Sequence, residues 1–313
     1  MRLSRPRLLS ACDAYRVQQA FTTMMPLDGC LDPRLRAVVA DVLDHPGSLA
    51  RAQLAHGLGV RRGLPAERAL KLAVAVEYFH SASLIFDDMP SMDDAAERRG
   101  RPCPHVVHGE AAATLGALAL ITRAYALLWE AIDEEPGSRR AAAALVGECL
   151  GIAGILDGQA RDVHFQREEA SPEGVAEVAV AKTVPLIRLA MVLPAVVAGE
   201  GAETLDRLER LAAAWGLAYQ ILDDFKDRLL GSEESGKTAG RDAGLGRPNL
   251  PDLAGPQPAF ARLQRLLAEA RAVLDALAAG GGEERWAPLG SLQAFLEAEA
   301  CDVADRLVGR EAA

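Results

Sequence analysis

Leu70-Lys71-Leu72-Ala73-Val74-Ala75-Val76-Glu77-Tyr78-Phe79-His80-Ser81-Ala82-Ser83-Leu84-Ile85-Phe86-Asp87-Asp88-Met89-Pro90 decides how the rest of the chain is read. Leu70, Ala73, Val74, Glu77, Tyr78 and Ser81 recur at i, i+3, i+4, and the apolar stripe runs on to Phe86. That rhythm predicts a helix. The helix ends on two carboxylates, and Pro90 forbids its continuation. An acidic pair on a surface helix has polar neighbours. This one closes a run of core residues, so its oxygens are expected to face inward or into a cleft.

The same arrangement occurs a second time. Leu205 to Phe225 has helical periodicity, and Tyr219-Gln220-Ile221-Leu222 leads into Asp223-Asp224-Phe225-Lys226-Asp227. Ala111 to Ile132 reads as an Ala- and Gly-rich helix on which neighbours can pack closely. Further helices are expected over 32–44, 48–58, 139–163, 173–198, 257–279 and 289–309, with Gly and Pro breakers between them. Residues 231–256 read as one long irregular loop. Aromatics are only 4% of the 313 residues, which disfavours strands. The expectation is all-α: a single antiparallel helical bundle, 1–313, with central helices apolar on several sides.

Composition excludes several functions. Half the residues are hydrophobic and a quarter charged, so the chain is globular rather than disordered. A net charge of −10 without a basic stripe argues against nucleic acid. Cys12, Cys30, Cys103, Cys149 and Cys301 are scattered and odd in number, as in a reducing cytosol. Leu9-Ser10-Ala11-Cys12 mimics a lipoprotein box, but Arg5 and Arg7 interrupt the apolar lead-in. No stretch is expected to reach the length of a membrane span, so a soluble, cytoplasmic protein is expected.

Asp223 and Asp227, at i and i+4, share one helix face. In the first cluster Pro90 lets Asp93 fold back beside Asp87. Crowded carboxylates repel and take up protons unless a cation sits among them. Oxygen-only ligands point to magnesium rather than zinc. Arg98 and Arg99 follow the first cluster, Lys182-Thr183 sits in an apolar helix, and Lys237 and Arg247 lie in the long loop. Acidic clusters with separated cations suit a ligand carrying several phosphates.

These motifs resemble the trans-prenyl diphosphate synthases, most closely the geranylgeranyl diphosphate synthases of bacterial carotenoid clusters. The likeness runs from about residue 45 to 255. His80 to Pro90 with Asp93 resembles the first aspartate-rich motif in its four-residue-spacer form, continued by Arg98-Arg99-Gly100-Arg101-Pro102. Gly158-Gln159 with Asp162, Lys182-Thr183, Gln220 to Asp224 with Asp227, and Gly236-Lys237 and Gly240-Arg241-Asp242 with Arg247 follow in family order.

The resemblance implies an isoprenoid-synthase bundle around a central apolar cavity. It implies that Asp87, Asp88 and Asp93, with Asp223, Asp224 and Asp227, hold three Mg2+ ions (Mn2+ as a substitute) on an allylic diphosphate. Arg98, Lys182 and Lys237 would grip that diphosphate, and Gln220 would orient it. Arg51, His80 and Arg99 would hold isopentenyl diphosphate. Ala82 and Ser83, small residues one turn before Asp87, would leave room for a twenty-carbon product, geranylgeranyl diphosphate, with farnesyl diphosphate as the shorter option. A homodimer is implied as well.

One motif departs from the family. Where Gly-Lys-Arg-x-Arg-Pro is usual, the chain reads Gly47-Ser48-Leu49-Ala50-Arg51-Ala52. Losing two charge-assisted contacts of about 1.5–3 kcal/mol weakens binding roughly a hundredfold or more. Three readings follow: an elongating synthase with a rebuilt second site; an enzyme that ionises a prenyl diphosphate and cyclises or hydrolyses it; or a weakly active subunit of a heteromeric synthase.

Overall fold

In the computed structural model, residues 8–132, 136–165, 171–229, 249–280 and 282–311 are described. They are helical throughout, apart from one two-stranded hairpin and short 3-10 and loop connections. The elements in chain order are α1 (Ala11–Thr23), α2 (Pro33–Asp44), α3 (Ala50–Arg61), α4 (Ala66–Asp87), β1 (Glu97–Arg98), β2 (Arg101–Pro102), α5 (Pro104–His108), α6 (Glu110–Ile132), α7 (Pro136–Leu150), α8 (Ile155–Val163), α9 (Pro172–Val197), α10 (Ala202–Leu229), α11 (Leu250–Leu253), α12 (Pro256–Ala279) and α13 (Glu283–Glu311).

The chain divides into two compact units. One comprises Arg7–Leu145 with Leu189–Glu200. Its centre is α4, whose Leu72, Ala73, Val74, Ala75, Val76, Tyr78 and Phe79 are all buried, so no face of its middle turns meets water. Burying each large apolar side chain contributes about 1.5–3 kcal/mol. Helices α6, α3 and α1 surround it. The Tyr78 hydroxyl donates to the Phe21 carbonyl at 2.6 Å, and the two rings meet edge to face. That contact fixes α1, a helix the sequence reading omitted. Its start is marked by Ser10, whose hydroxyl accepts from the Asp13 N–H.

The other unit comprises Val146–Arg188 with Gly201–Ala313. Here α10 packs on α12 and α13. The buried indole of Trp215 donates to Gln293 at 2.6 Å, and Gln293 donates to the Leu267 carbonyl at 2.9 Å. A buried polar pair of this kind costs stability unless both members are satisfied, and here they are.

Two expectations need correction. The helix expected over 139–163 is two helices, α7 and α8, separated at Gly151–Gly154, where backbone turns replace the helical ladder. Likewise, three helices reach the length and apolarity of a membrane span, Ala66–Asp87, Glu110–Ile132 and Pro172–Val197, as does the stretch Arg139–Val163, which the Gly151–Gly154 break divides. Their low charge has an internal cause in two cases. The apolar windows of α4 and α9 are 61% and 67% buried within the protein, so they are apolar because they are core.

Candidate active site

Helix α4 delivers the first acidic motif. Its ladder runs to Asp87, and the chain then closes a tight loop: the Asp93 N–H donates to the Asp87 carbonyl at 2.9 Å and the Ala95 N–H to the Asp88 carbonyl at 3.0 Å. Asp93 thus folds back on Asp87, as the proline implied. The two adjacent carboxylates do different work. Asp88 is buried, and both its oxygens accept from Arg98, from Nε and Nη2, at 2.7 Å each. Burial alone would lower the Arg98 pKa, but the hydrogen bond and charge of Asp88, with Asp87 beyond, raise it. Asp88 is therefore engaged in orienting an arginine.

The second motif repeats this division. Asp224 is buried on α10, accepting from Gln220 Nε2 at 2.9 Å and from the Leu250 N–H at 3.2 Å. Asp223, by contrast, is only partly buried. Gln220 in turn accepts from the Thr183 hydroxyl on α9 at 3.4 Å. One residue earlier on that helix, Lys182 donates to Asp162 of α8 at 2.8 Å. Gly158 permits this pairing: a Cβ there would overlap the backbone of Ala181 and Lys182. So adjacent residues of α9 start two polar groups: Lys182 pairs with Asp162, and Thr183 leads through Gln220 to Asp224.

Arg51, His80 and Arg99 converge in the first unit. Arg51 Nη1 lies 3.1 Å from His80 Nε2. Burial holds the His80 imidazole well below its usual pKa, and Arg51, Arg99 and Arg98 reinforce the effect. Neutral, the ring accepts from Arg51. The Arg51 Nε is buried without a hydrogen-bond partner among the described residues. Arg99 reaches Gly47, where any Cβ would collide with its guanidinium. Sequence reasoning missed Glu77. Helix α3 has Leu49 at its N-cap, in a left-handed conformation and without a capping side chain. The buried Glu77 of α4 substitutes, accepting from the Ala52 N–H at 2.9 Å. Burial pushes its pKa up while Arg51 and Arg99 oppose this. A single charge in the apolar run 72–79 was the available signal.

Ala82 is fully buried, and the Ser83 hydroxyl turns back to the His80 carbonyl at 2.9 Å. Phe79, one turn deeper, packs edge to face on Tyr125, which stacks on Trp129. The buried Cys149 thiol is pushed up to about 12, chiefly by burial, which makes it a poor nucleophile at neutral pH. Lys237 and Arg247, with Gly236, Gly240, Arg241 and Asp242, lie outside the described residues. Among the described residues no three acidic, His or Cys side chains are grouped closely enough to chelate a metal by themselves.

An all-helical fold with an acidic motif in the last turns of each of two long helices is shared with solved isoprenoid synthases. The sequence model of the polyprenyl synthetase family matches residues 32–276, and the chain belongs to that family. Geranylgeranyl diphosphate synthase of Pantoea ananas is 37% identical over 198 residues, 63% of this chain and 64% of its own length, so the match spans less than two thirds of that relative. Farnesyl diphosphate synthase of Escherichia coli K12 is 36% identical over 281 residues, 87% of this chain and 92% of its own. The crystal structure of a geranyltransferase from Helicobacter pylori, complexed with magnesium and isoprenyl diphosphate, superposes with a TM-score of 0.76 at 26% identity, covering 92% of this chain and 99% of that one.

Proposed function

We propose that the protein is a chain-elongating trans-prenyltransferase that condenses isopentenyl diphosphate with an allylic diphosphate. The observation that carries this reading is the Arg51–His80–Arg99 cluster, with an Arg51 Nε that is buried and has no hydrogen-bond partner among the described residues. An enzyme that only ionises one prenyl diphosphate has no use for a second anion seat beside its first acidic motif. The two units act as one domain in this reading, because a single family match runs through both.

The donor set fits magnesium. Asp87 and Asp93 share one closed loop, and Asp223 and Asp227 share one helix face. Mg2+ is commonly held by one or two carboxylates together with substrate phosphate oxygens, which suits motifs that make no cage alone. Asp88 and Asp224 keep Arg98 and Gln220 in place. Three ions with substrate bound, and Mn2+ as a substitute, are part of the proposal. Bound, the ions neutralise the charge that develops on the leaving diphosphate. Arg98 and Lys182 add their charges there, and Arg51, His80 and Arg99 hold the second diphosphate. Apolar surroundings keep water from the allylic cation. The released diphosphate accepts the proton.

Small side chains at Ala82 and Ser83 favour a twenty-carbon product. Leu115, Leu118 and Trp129 of α6 are exposed along one helix face. A second copy of the chain covers that face in the proposed homodimer, and free thiols, two of them exposed, suit a reducing cytoplasm. Purified protein is incubated with magnesium, farnesyl diphosphate and labelled isopentenyl diphosphate. Label in a longer chain supports the proposal. Diphosphate release without label indicates a cyclase or phosphatase, and activity only with an added synthase indicates a heteromeric subunit. The Ala82→Tyr variant is expected to stop at fifteen carbons or fewer, and an unchanged twenty-carbon product would refute the chain-length argument.

A further inference from the structure

We propose that Asp41 is a positioning residue for the second diphosphate seat. The inference rests on the elongating reading above, because it concerns the Arg51–His80–Arg99 cluster. Arg99 sits in the two-residue turn of the β1–β2 hairpin, where Glu97 pairs with Pro102 and Arg98 with Arg101. Arg99 and Gly100 both have positive φ, 57° and 73°. Such a turn suits the twist of the strands but favours Asn-Gly. A non-glycine side chain held left-handed persists when its surroundings over-determine it.

Three fastenings do so here. At the base, the Cys103 N–H donates to the Ala96 carbonyl at 2.9 Å. On the β1 side, Arg98 is held in the fork of Asp88. On the β2 side, Arg101 Nη2 donates to Asp41 of α2 at 3.2 Å. His45 Nδ1 bonds to the Asp41 carbonyl at 2.8 Å and lies 3.1 Å from its carboxylate, and His108 Nε2 lies 3.5 Å from that carboxylate. His45 is the C-cap of α2, two residues before Gly47. Arg101 is two residues after Arg99. Asp41 therefore ties together the two chain segments whose tips meet as Arg99 on Gly47. The usual Lys and Arg of the Gly47–Arg51 segment are replaced by Ser48 and Leu49, so the exact seat of Arg99 carries more of the binding.

The test compares the full-length protein with Asp41→Asn and Arg101→Met, singly and together, and measures three quantities. These are KM for each substrate, the Kd of isopentenyl diphosphate by calorimetry, and the midpoint of thermal unfolding. The expected result is that KM and Kd for isopentenyl diphosphate rise about three- to tenfold in each variant. The double variant should be no worse than the poorer single, while the allylic KM stays within twofold. A merely structural role lowers the unfolding midpoint and moves both KM values alike, which overturns the proposal. So does a Kd within twofold of the wild-type value. Wild-type protein that binds isopentenyl diphosphate but shows no Asp41 effect rejects this inference alone. Wild-type protein that binds none rejects the elongating reading and this inference with it.

Discussion

Two adjacent aspartates with identical chemistry have separate tasks: Asp88 disappears beneath Arg98, while Asp87 stays partly accessible at the end of α4. Side-chain burial, invisible in a dipeptide, makes the difference. For Arg51 the consequence is sharp. A charged hydrogen bond contributes about 1.5–3 kcal/mol, so Arg51→Ala should raise the KM for isopentenyl diphosphate by roughly tenfold or more and leave the allylic KM nearly unchanged. Steady-state kinetics with each substrate varied in turn will check this. Two imidazoles, the buried His56 and the partly exposed His80, oppose stability in acid. Burial holds His56 below its usual 6.5, with Asp13 opposing and Arg16 adding to the effect. His80 is held lower still. The unfolded chain takes up these protons near pH 6.5 and the folded protein resists them, so acid favours unfolding. The melting midpoint should hold above about pH 6.5 and fall as pH drops toward 5. His56→Gln should flatten that slope, and a midpoint flat from pH 7 to 5 would count against the assignment.

At the scale of elements, the contact between α8 and α9 governs Lys182. Gly158→Ala forces a methyl group into the Ala181 backbone, an overpacking that costs about 1–3 kcal/mol. The unfolding midpoint should fall by several degrees, and kcat should fall with it as the Lys182–Asp162 pair opens. Calorimetry and a turnover assay read the two effects. The helices themselves were legible because their apolar residues recur with the helical period, and both acidic motifs were legible because each ends such a run. Other features left weaker traces. Helix α1 is rich in polar residues, and its burial rests on Val17, Ala20 and Phe21. The break between α7 and α8 rests on two glycines in a stretch that otherwise reads as helical. The hairpin depends on a left-handed arginine that no propensity would favour. Glu77 reads as one more charge in a periodic helix until its partner, a backbone N–H twenty-five residues away, is seen.

For the molecule as a whole, the exposed apolar face of α6 bears on assembly. Leu115 and Leu118 are about half exposed, and Trp129 is 38% exposed. Scattered apolar residues on a surface need no explanation, but three along one helix face suit a partner helix. If the proposed homodimer forms, Leu118→Arg should leave a monomer in light scattering at micromolar concentration, whereas a wild-type protein already monomeric would remove the proposal. Gly47 has both a positive φ and the Arg99 guanidinium pressed against it, while Ser48 and Leu49 have already drifted from the family pattern. Ser48 is free of such a constraint, Leu49 is itself buried in a left-handed conformation, and any side chain at position 47 would evict the arginine at one stroke.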